Sequence, residues 1–436
     1  MDKANFIHIL NTELELAAGC TEPAAVALAA SAAAKALGET GGSVETLSVS
    51  ASTNILKNAM AAGIPGTKFT GMAYAAAIGA MVADPSRGLE VISGVSERRL
   101  ARAEELVKTG KVTVTQADTP QKLYIDVTAY GAGHVGRAVI SELHTKLTLV
   151  QSDDRVLLKK EDGEGENEAG QEKNERMTVR AIWDFCTAEY DPETDVIRML
   201  EQAVEVNTSI SEAGLAQEYG LSIGRNLARA CEKGIMTMDM TTDAMMRTAA
   251  GADARMAGAP QSVVTNSGSG NQGITATMPV VSVARWLGAS RERMMRALAI
   301  SHLVSIHIKS GFGRLSNLCG ATVAGTGAAC GIAYLLGGGY EAVCGAIHNM
   351  VGNVAGLVCD GAKADCALKI SSCVNAAMQA AMLAVDGVRV RGTDGVVEDD
   401  VEYTIENFGV LSRRGTADEV ILDLMLHKHN NSPCGE

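Results

Sequence analysis

Residues 315–358 read LSNLCGATVAGTGAACGIAYLLGGGYEAVCGAIHNMVGNVAGLV, and Glu341 is the only formally charged side chain between Arg314 and Asp360. Two runs within this stretch, 315–340 and 342–358, approach bilayer-spanning length. Both are crowded with Gly, Thr, Ser, Asn and His, which favours a buried central helix pair over a membrane span. Helices built from such small residues approach each other closely. Aromatics are only 3% of the chain, while it holds 46 glycines and 19 methionines, so the core has to come from such contacts rather than from large rings. A mostly helical protein is expected.

The pattern changes on moving outward. Between about Leu89 and Val156 the chain offers short β-branched runs, KVTVTQAD, KLYIDVTAY and KLTLVQSD, with a helix-like AVISELH between the last two. The first two are close enough to form an antiparallel hairpin. With 436 residues, the chain exceeds a single ordinary core. The fold class expected is therefore α+β: a mainly helical domain of residues 1–88 and 177–436, interrupted by a smaller inserted α+β domain at 89–158. Residues 159–176, KKEDGEGENEAGQEKNER, read as an acidic solvated loop. At the N-terminus, Asp2 can cap a helix through about Ala18, and Thr21 can cap a second with Glu22 and Pro23 in its first turn.

A formal charge of −13 with no basic run argues against nucleic acid or an anionic membrane as a partner and favours a small-molecule substrate. The first residues lack the layout of a secretory signal, so a cytoplasmic location is expected. Ten irregularly spaced cysteines then read as free thiols and metal ligands rather than as a disulfide framework.

Six of those cysteines fall between Cys319 and Cys373. An iron–sulfur cluster takes thiolates from several chain segments, and Lewis-acid chemistry requires one iron without a protein ligand, so three cysteines suffice. Cys319 precedes small residues, Cys359 precedes a Gly-containing turn, and Cys366 lies in the first turns of the helix that follows. Cys373, seven residues further along that helix, lies roughly 10 Å beyond Cys366, too far to share one small cluster with it. Cys330 and Cys344 read as small buried hydrophobes. Cys20 sits just before a helix N-terminus, which stabilises a thiolate; it can act as a base or as a ligand.

Two segments are suited to holding an amino acid. SASTNILKNAMAAGIPGT, 50–67, supplies Ser52, Asn54, Lys57 and Asn58. VVTNSGSGNQGITATMP, 263–279, supplies Asn266, Ser267, Gly268, Ser269, Gly270, Asn271 and Gln272. Successive N–H groups with amide side chains make a nest for a carboxylate. His302, His307, Lys309 and Arg314 add titratable candidates, although a lone histidine in an apolar helix is more often a satisfied core residue. Gly131, Gly133 and Gly136, with Asp153 beyond them, fit a dinucleotide fingerprint, but the following helical segment is short for a full crossover. Lys57 and the SGSGNQG loop together suggest a pyridoxal-phosphate lyase, which leaves the thiols unexplained.

GCTEP at 19–23, TNILKNAMAAGIPGT at 53–67, TNSGSGNQG at 265–273, GRLSNLCGATVAGTGAACG at 313–331 and CDGAKADCALKISS at 359–372, taken in order, resemble the motifs of the L-cysteine desulfidase family, related to the alpha chains of iron–sulfur L-serine dehydratases. The resemblance runs from about Glu13 to the end of the chain. It implies a helical catalytic domain interrupted by an α+β domain, and a 4Fe-4S cluster that performs β-elimination without pyridoxal phosphate or NAD. It implies Cys319, Cys359 and Cys366 as cluster ligands, and Cys20 as a base or an exchangeable ligand. Ser52, Asn54, Asn58 and the 266–272 loop would then hold substrate, and Lys57 would act as a base or carboxylate anchor. Cys434 resembles a terminal cysteine that caps the cluster in dehydratase relatives. The expected partners are a small amino-acid substrate and, from the alanine-rich helical surface, a second copy of the chain.

Overall fold

The computed structural model of the chain describes residues 1–160, 177–313, 316–414 and 420–423. Most of the acidic tract, Arg314 and Cys434 lie outside the described residues. The chain divides into two compact units. One is helical and comprises residues 1–17, 177–359 and 364–414 among those described; the other is α+β and comprises 18–160, 360–363 and 420–423 among those described.

The chain opens in the helical unit with α1 (Lys3–Glu13), whose Asp2 cap accepts from the Asn5 N–H at 2.9 Å. This helix stops five residues short of the expected end, and β1 (Leu16–Ala18) follows.

In the α+β unit, α2 (Thr21–Gly38) is buried along nearly its whole length. It is followed by β2 (Thr46–Ala51), α3 (Thr53–Ala59), α4 (Met72–Val82) and α5 (Glu97–Lys108). Then come β3 (Val112–Gln116), β4 (Tyr124–Gly131), β5 (His134–Ser141), β6 (Leu147–Ser152) and β7 (Arg155–Lys159). The sheet order is β3-β2-β4-β5-β6-β7. β2 runs parallel to β3, with Leu47 opposite Val112, and antiparallel to β4, with Val49 opposite Val127. The unit therefore begins at Ala18 rather than at residue 89, because β2 supplies an interior strand that the sequence reading left in the helical domain.

Two other expectations change for the same reason. KVTVTQAD and KLYIDVTAY do not pair with each other, since β2 lies between them. AVISELH is mostly strand: its first four residues end β5, where Ala138 pairs with Val127 on one side and Val150 on the other. The Gly131–Gly136 run is an antiparallel hairpin turn with positive φ at Ala132 and Gly133, and Gly131 opposes His134. An antiparallel hairpin lacks the crossover helix whose N-terminus binds pyrophosphate, so the dinucleotide reading falls. α2 lies across this sheet, close enough that a Cβ on Gly136 would fall 2.1 Å from the Ala33 carbonyl oxygen.

The helical unit resumes with α6 (Val179–Asp184), which runs into a π turn at Phe185–Glu189. It continues through α7 (Arg198–Ala216), α8 (Ile223–Glu232) and α9 (Met240–Met256) to β8 (Ser262–Val264), which pairs with β1. The remaining helices are α10 (Gly270–Trp286), α11 (Arg291–Phe312), α12 (Gly320–Leu335), α13 (Tyr340–Val354), α14 (Cys366–Val385) and α15 (Val401–Arg414).

α12 is the hub of the unit and packs against α10, α11, α13 and α14. Its small residues permit this: a Cβ on Gly327 would fall 2.2 Å from the Ser301 carbonyl oxygen of α11. The charge-free stretch thus forms the buried pair α12 and α13. α14 is the one described helix long and apolar enough to cross a membrane, and 56% of its apolar window is buried inside the protein.

Candidate active site and metal centre

In the helical unit, the chain reaches α12 through a short ladder. The Cys319 N–H donates to the Leu357 carbonyl at 2.8 Å, and the Cys359 N–H donates to the Asn317 carbonyl at 2.8 Å, flanking an antiparallel bridge between Leu318 and Val358. Successive side chains on extended backbone alternate sides, so Cys319 and Cys359 share one face as diagonal neighbours, roughly 7–8 Å apart at Cα. Cys366 is the first residue of α14, and Cys373, fully buried, follows two turns later.

The Cys319 thiol is pushed well above its ordinary pKa, first by burial and then by Cys359, Cys373 and Cys366, whose charges it senses. Cys359 and Cys366, the other expected ligands, and Cys373 thus lie near enough to Cys319 to act on its thiol. Burial pushes Cys373 up to about 12, with Lys369 opposing. Cys330 donates weakly to the Val343 carbonyl at 3.7 Å and lies in the core with Cys344, as small hydrophobes do.

Among the described residues, no three His, Cys, Asp or Glu side chains approach closely enough to hold a single metal ion. A polynuclear cluster asks for something different, because each thiolate binds a separate iron and the donors stand apart. The donor set fits such a group: thiols at two helix N-termini, on a backbone ladder, beside the small residues Gly320 and Ala321.

The 265–273 loop joins β8 to α10 in the same unit. Thr265 and Ser267 donate backbone N–H groups to Glu15 and Glu13 carbonyls at 2.8 and 2.9 Å, and Asn266 and Ser269 pair with each other. The expected nest is thus narrower than the sequence suggests, since these amides are already used. Ser267 adopts φ +49°, an uncommon conformation for a residue with a Cβ.

His302 anchors this turn. Thr277 Oγ1 donates to the Gly273 carbonyl at 2.7 Å, so at 3.1 Å it accepts from His302 Nε2; His302 Nδ1 then accepts from Asn266 Nδ2 at 3.1 Å. Burial lowers the His302 pKa to about 3, so it stays neutral. Asn266 Oδ1 in turn accepts from Ser267 Oγ at 3.1 Å. His302 is thus a satisfied core histidine that positions the loop. His307 pairs with Glu402 at 2.7 Å.

Sequence reasoning passed over two residues here. Asp253 is fully buried, accepts from the Gly224 N–H at 3.0 Å and is raised by burial to about 6. Arg255, 4% exposed, donates to Asn271 Oδ1 at 3.0 Å. Charged residues two apart in the buried GADARMAG segment were the available signal.

In the α+β unit, Cys20 is the N-cap of α2. Its thiol lies 3.0 Å from Glu22 Oε2, which also accepts from Thr21 Oγ1 at 3.1 Å, while Glu22 Oε1 accepts from Asn58 Nδ2 at 3.2 Å. Glu22 is thus a buried carboxylate beside the candidate base, a role not read from its place in a first helical turn. Lys57 and Asn54, both on α3, are buried. Ser52 donates to the Lys122 carbonyl at 2.8 Å and accepts from the Tyr124 N–H at 3.3 Å, so its hydroxyl ties α3 to the sheet. Gly361, at φ +99°, lies against α3: a Cβ there would fall 2.3 Å from the Lys57 carbonyl oxygen.

A helical unit carrying grouped thiols and a loop at a helix N-terminus, joined in one chain to an α+β unit carrying a buried Cys–Glu pair, defines the class. The chain belongs to the serine dehydratase alpha-chain family, whose model matches residues 86–422. It is 46% identical over 428 residues to the UPF0597 protein of Oleidesulfovibrio alaskensis, covering 98% of each chain. It is 42% identical over 431 residues to the UPF0597 protein of Shewanella pealeana, covering 97% of this chain and 98% of that one. It is 39% identical over 430 residues to the UPF0597 protein BF3560 of Bacteroides fragilis, covering 98% of this chain and 99% of that one. The relation to serine dehydratase alpha chains read from the five motifs holds.

Proposed function

We propose that this protein is an iron–sulfur-dependent lyase that eliminates the β-substituent of a small L-amino acid, with L-cysteine as the substrate and pyruvate, ammonia and hydrogen sulfide as products. The observation that carries this reading is the ladder setting Cys319 and Cys359 on one face, with Cys366 close enough for Cys319 to sense it. Those three residues would hold the cluster. When bound, a 4Fe-4S cluster supplies a Lewis-acidic iron that makes sulfide or hydroxide a better leaving group.

The chain's own groups handle the proton. Cys20 gives its thiol proton to Glu22, 3.0 Å away, and the thiolate takes the α-proton of the substrate. The Cα–H electron pair becomes the Cα–Cβ double bond, and the Cβ–S pair leaves with the sulfur as hydrosulfide, which collects a proton. Water then hydrolyses the released aminoacrylate to pyruvate and ammonia. Asn58 holds Glu22 through Nδ2 and keeps a buried Oδ1 with no hydrogen-bond partner among the described residues, an acceptor suited to the substrate ammonium. Lys57 and Asn54, on α3 of the same unit, complete substrate binding there in this reading. A homodimer is part of the proposal, tested by sedimentation.

The name of the matching family favours a second reading, L-serine as substrate with hydroxide leaving. Anaerobic assays separate the two. Sulfide and pyruvate from L-cysteine support the desulfidase, pyruvate from L-serine alone supports the dehydratase, and activity dependent on added pyridoxal phosphate contradicts both.

A further inference from the structure

Arg255 lies in the last turn of α9, within the helical unit, and is 96% buried by the complement of its 4% exposure. Among the described residues, its one side-chain hydrogen bond runs from Nη1 to Asn271 Oδ1 at 3.0 Å, and its Nε has no partner. No carboxylate pairs with it among the described residues. Asp253, two positions earlier, accepts from the Gly224 N–H instead. A guanidinium kept from water without a counter-charge is costly, so its retention points to an anion that joins it. A cation in the last turn of a helix can instead serve the terminal carbonyls, but no N–H of Arg255 donates to one in the described structure.

The surroundings supply further donors. The guanidinium lies against Gly270, where a Cβ would fall 2.3 Å from Nε. Gly270 and Asn271 are the first two residues of α10, whose initial N–H groups have no partner within the helix. Gln272 is 1% exposed, and its Nε2 has no partner among the described residues, while its Oε1 lies toward Gly320. A forked cation thus lies against the N-terminus of α10.

We propose that Arg255, with the first amides of α10, forms a subsite for the carboxylate of a small amino acid. The planar fork of arginine matches the two oxygens of a carboxylate, which a lysine ammonium does not. The identity of the ligand as an amino acid rests on the lyase reading; the anion site itself does not.

The probe is L-alanine, which carries the carboxylate and ammonium but no leaving group, with ethylamine as the control lacking a carboxylate. Calorimetry and thermal unfolding are run on the full-length protein. L-Alanine is expected to bind and raise the unfolding temperature of the wild type, while ethylamine does neither. Arg255→Gln should weaken L-alanine binding at least about 30-fold. Without ligand it should unfold no earlier than the wild type, because an unpaired buried charge has been removed. Arg255→Lys keeps the charge without the fork and carries the test if the glutamine variant does not fold; binding weakened at least about tenfold is expected.

Equal L-alanine affinity in wild type and variants, or no binding by the wild type, overturns the subsite. Arg255-dependent binding without sulfide or pyruvate formation retains the subsite and removes the lyase reading. Turnover with an unchanged KM in Arg255→Gln does the reverse.

Discussion

Cys20 and Cys319 occupy the same local position and differ in what surrounds them. Each is the N-cap of a helix rich in small residues, each has extended backbone (φ −88°, ψ 135° and φ −69°, ψ 130°), and neither side chain makes a capping hydrogen bond. Beside the Cys20 thiol, in the α+β unit, is a carboxylate at 3.0 Å. Around Cys319, in the helical unit, are three other thiols. A helix N-terminus favours a thiolate in either place. The neighbour then selects the chemistry: a carboxylate takes a proton, whereas further thiols share a metal group. Identical capping geometry does not imply identical function.

The largest expected effect breaks the comparison at Cys319. Cys319→Ala removes a proposed cluster ligand, so both the visible absorbance of the reconstituted protein and its lyase activity are expected to vanish. On the other side, Cys20→Ala and Glu22→Gln should keep that absorbance while lowering kcat by roughly 10²–10⁴-fold, the usual contribution of a general base. Equal loss of absorbance in the Cys20 variant would make Cys20 a ligand instead. Absorbance spectra and steady-state kinetics on the same samples decide between these roles.

Smaller effects sharpen the comparison through stability. Gly361→Ala places a Cβ against the Lys57 carbonyl at positive φ and should cost about 1–3 kcal/mol, measured by urea unfolding. The helical unit should show two opposed pH dependences. Asp253 is raised from 3.8 to about 6, so its contribution is complete below pH 3.8 and is lost as pH rises through 6. His302 is lowered from 6.5 to about 3, so its contribution is complete above pH 6.5 and is lost as pH falls toward 3. Asp253→Asn should therefore gain stability relative to wild type between pH 5 and 7.5, read from urea midpoints at both values.

Much of this was legible in the chain. The near-absence of charge from 315 to 358 indicated the buried pair α12 and α13, and the order of five motifs indicated the family. The division at residue 89 was not legible, because β2 pairs with strands more than 60 residues away and nothing local marks that pairing. AVISELH could be read as helix for a related reason: an apolar run buried on both faces has no period to distinguish strand from helix. At the site, cysteines and glycines announced themselves by type. Glu22, Arg255 and Asp253 did not, because a charged residue in an alanine-rich helix reads as a solvated face until the fold buries it.

The central claim, that Cys319, Cys359 and Cys366 hold one iron–sulfur cluster, is tested most directly by iron and sulfide analysis after anaerobic reconstitution. Wild type and the three single alanine variants are compared. The account predicts about four irons and four sulfides per wild-type chain, with the content collapsing in each variant. Full iron and sulfide content in any of the three variants would contradict it.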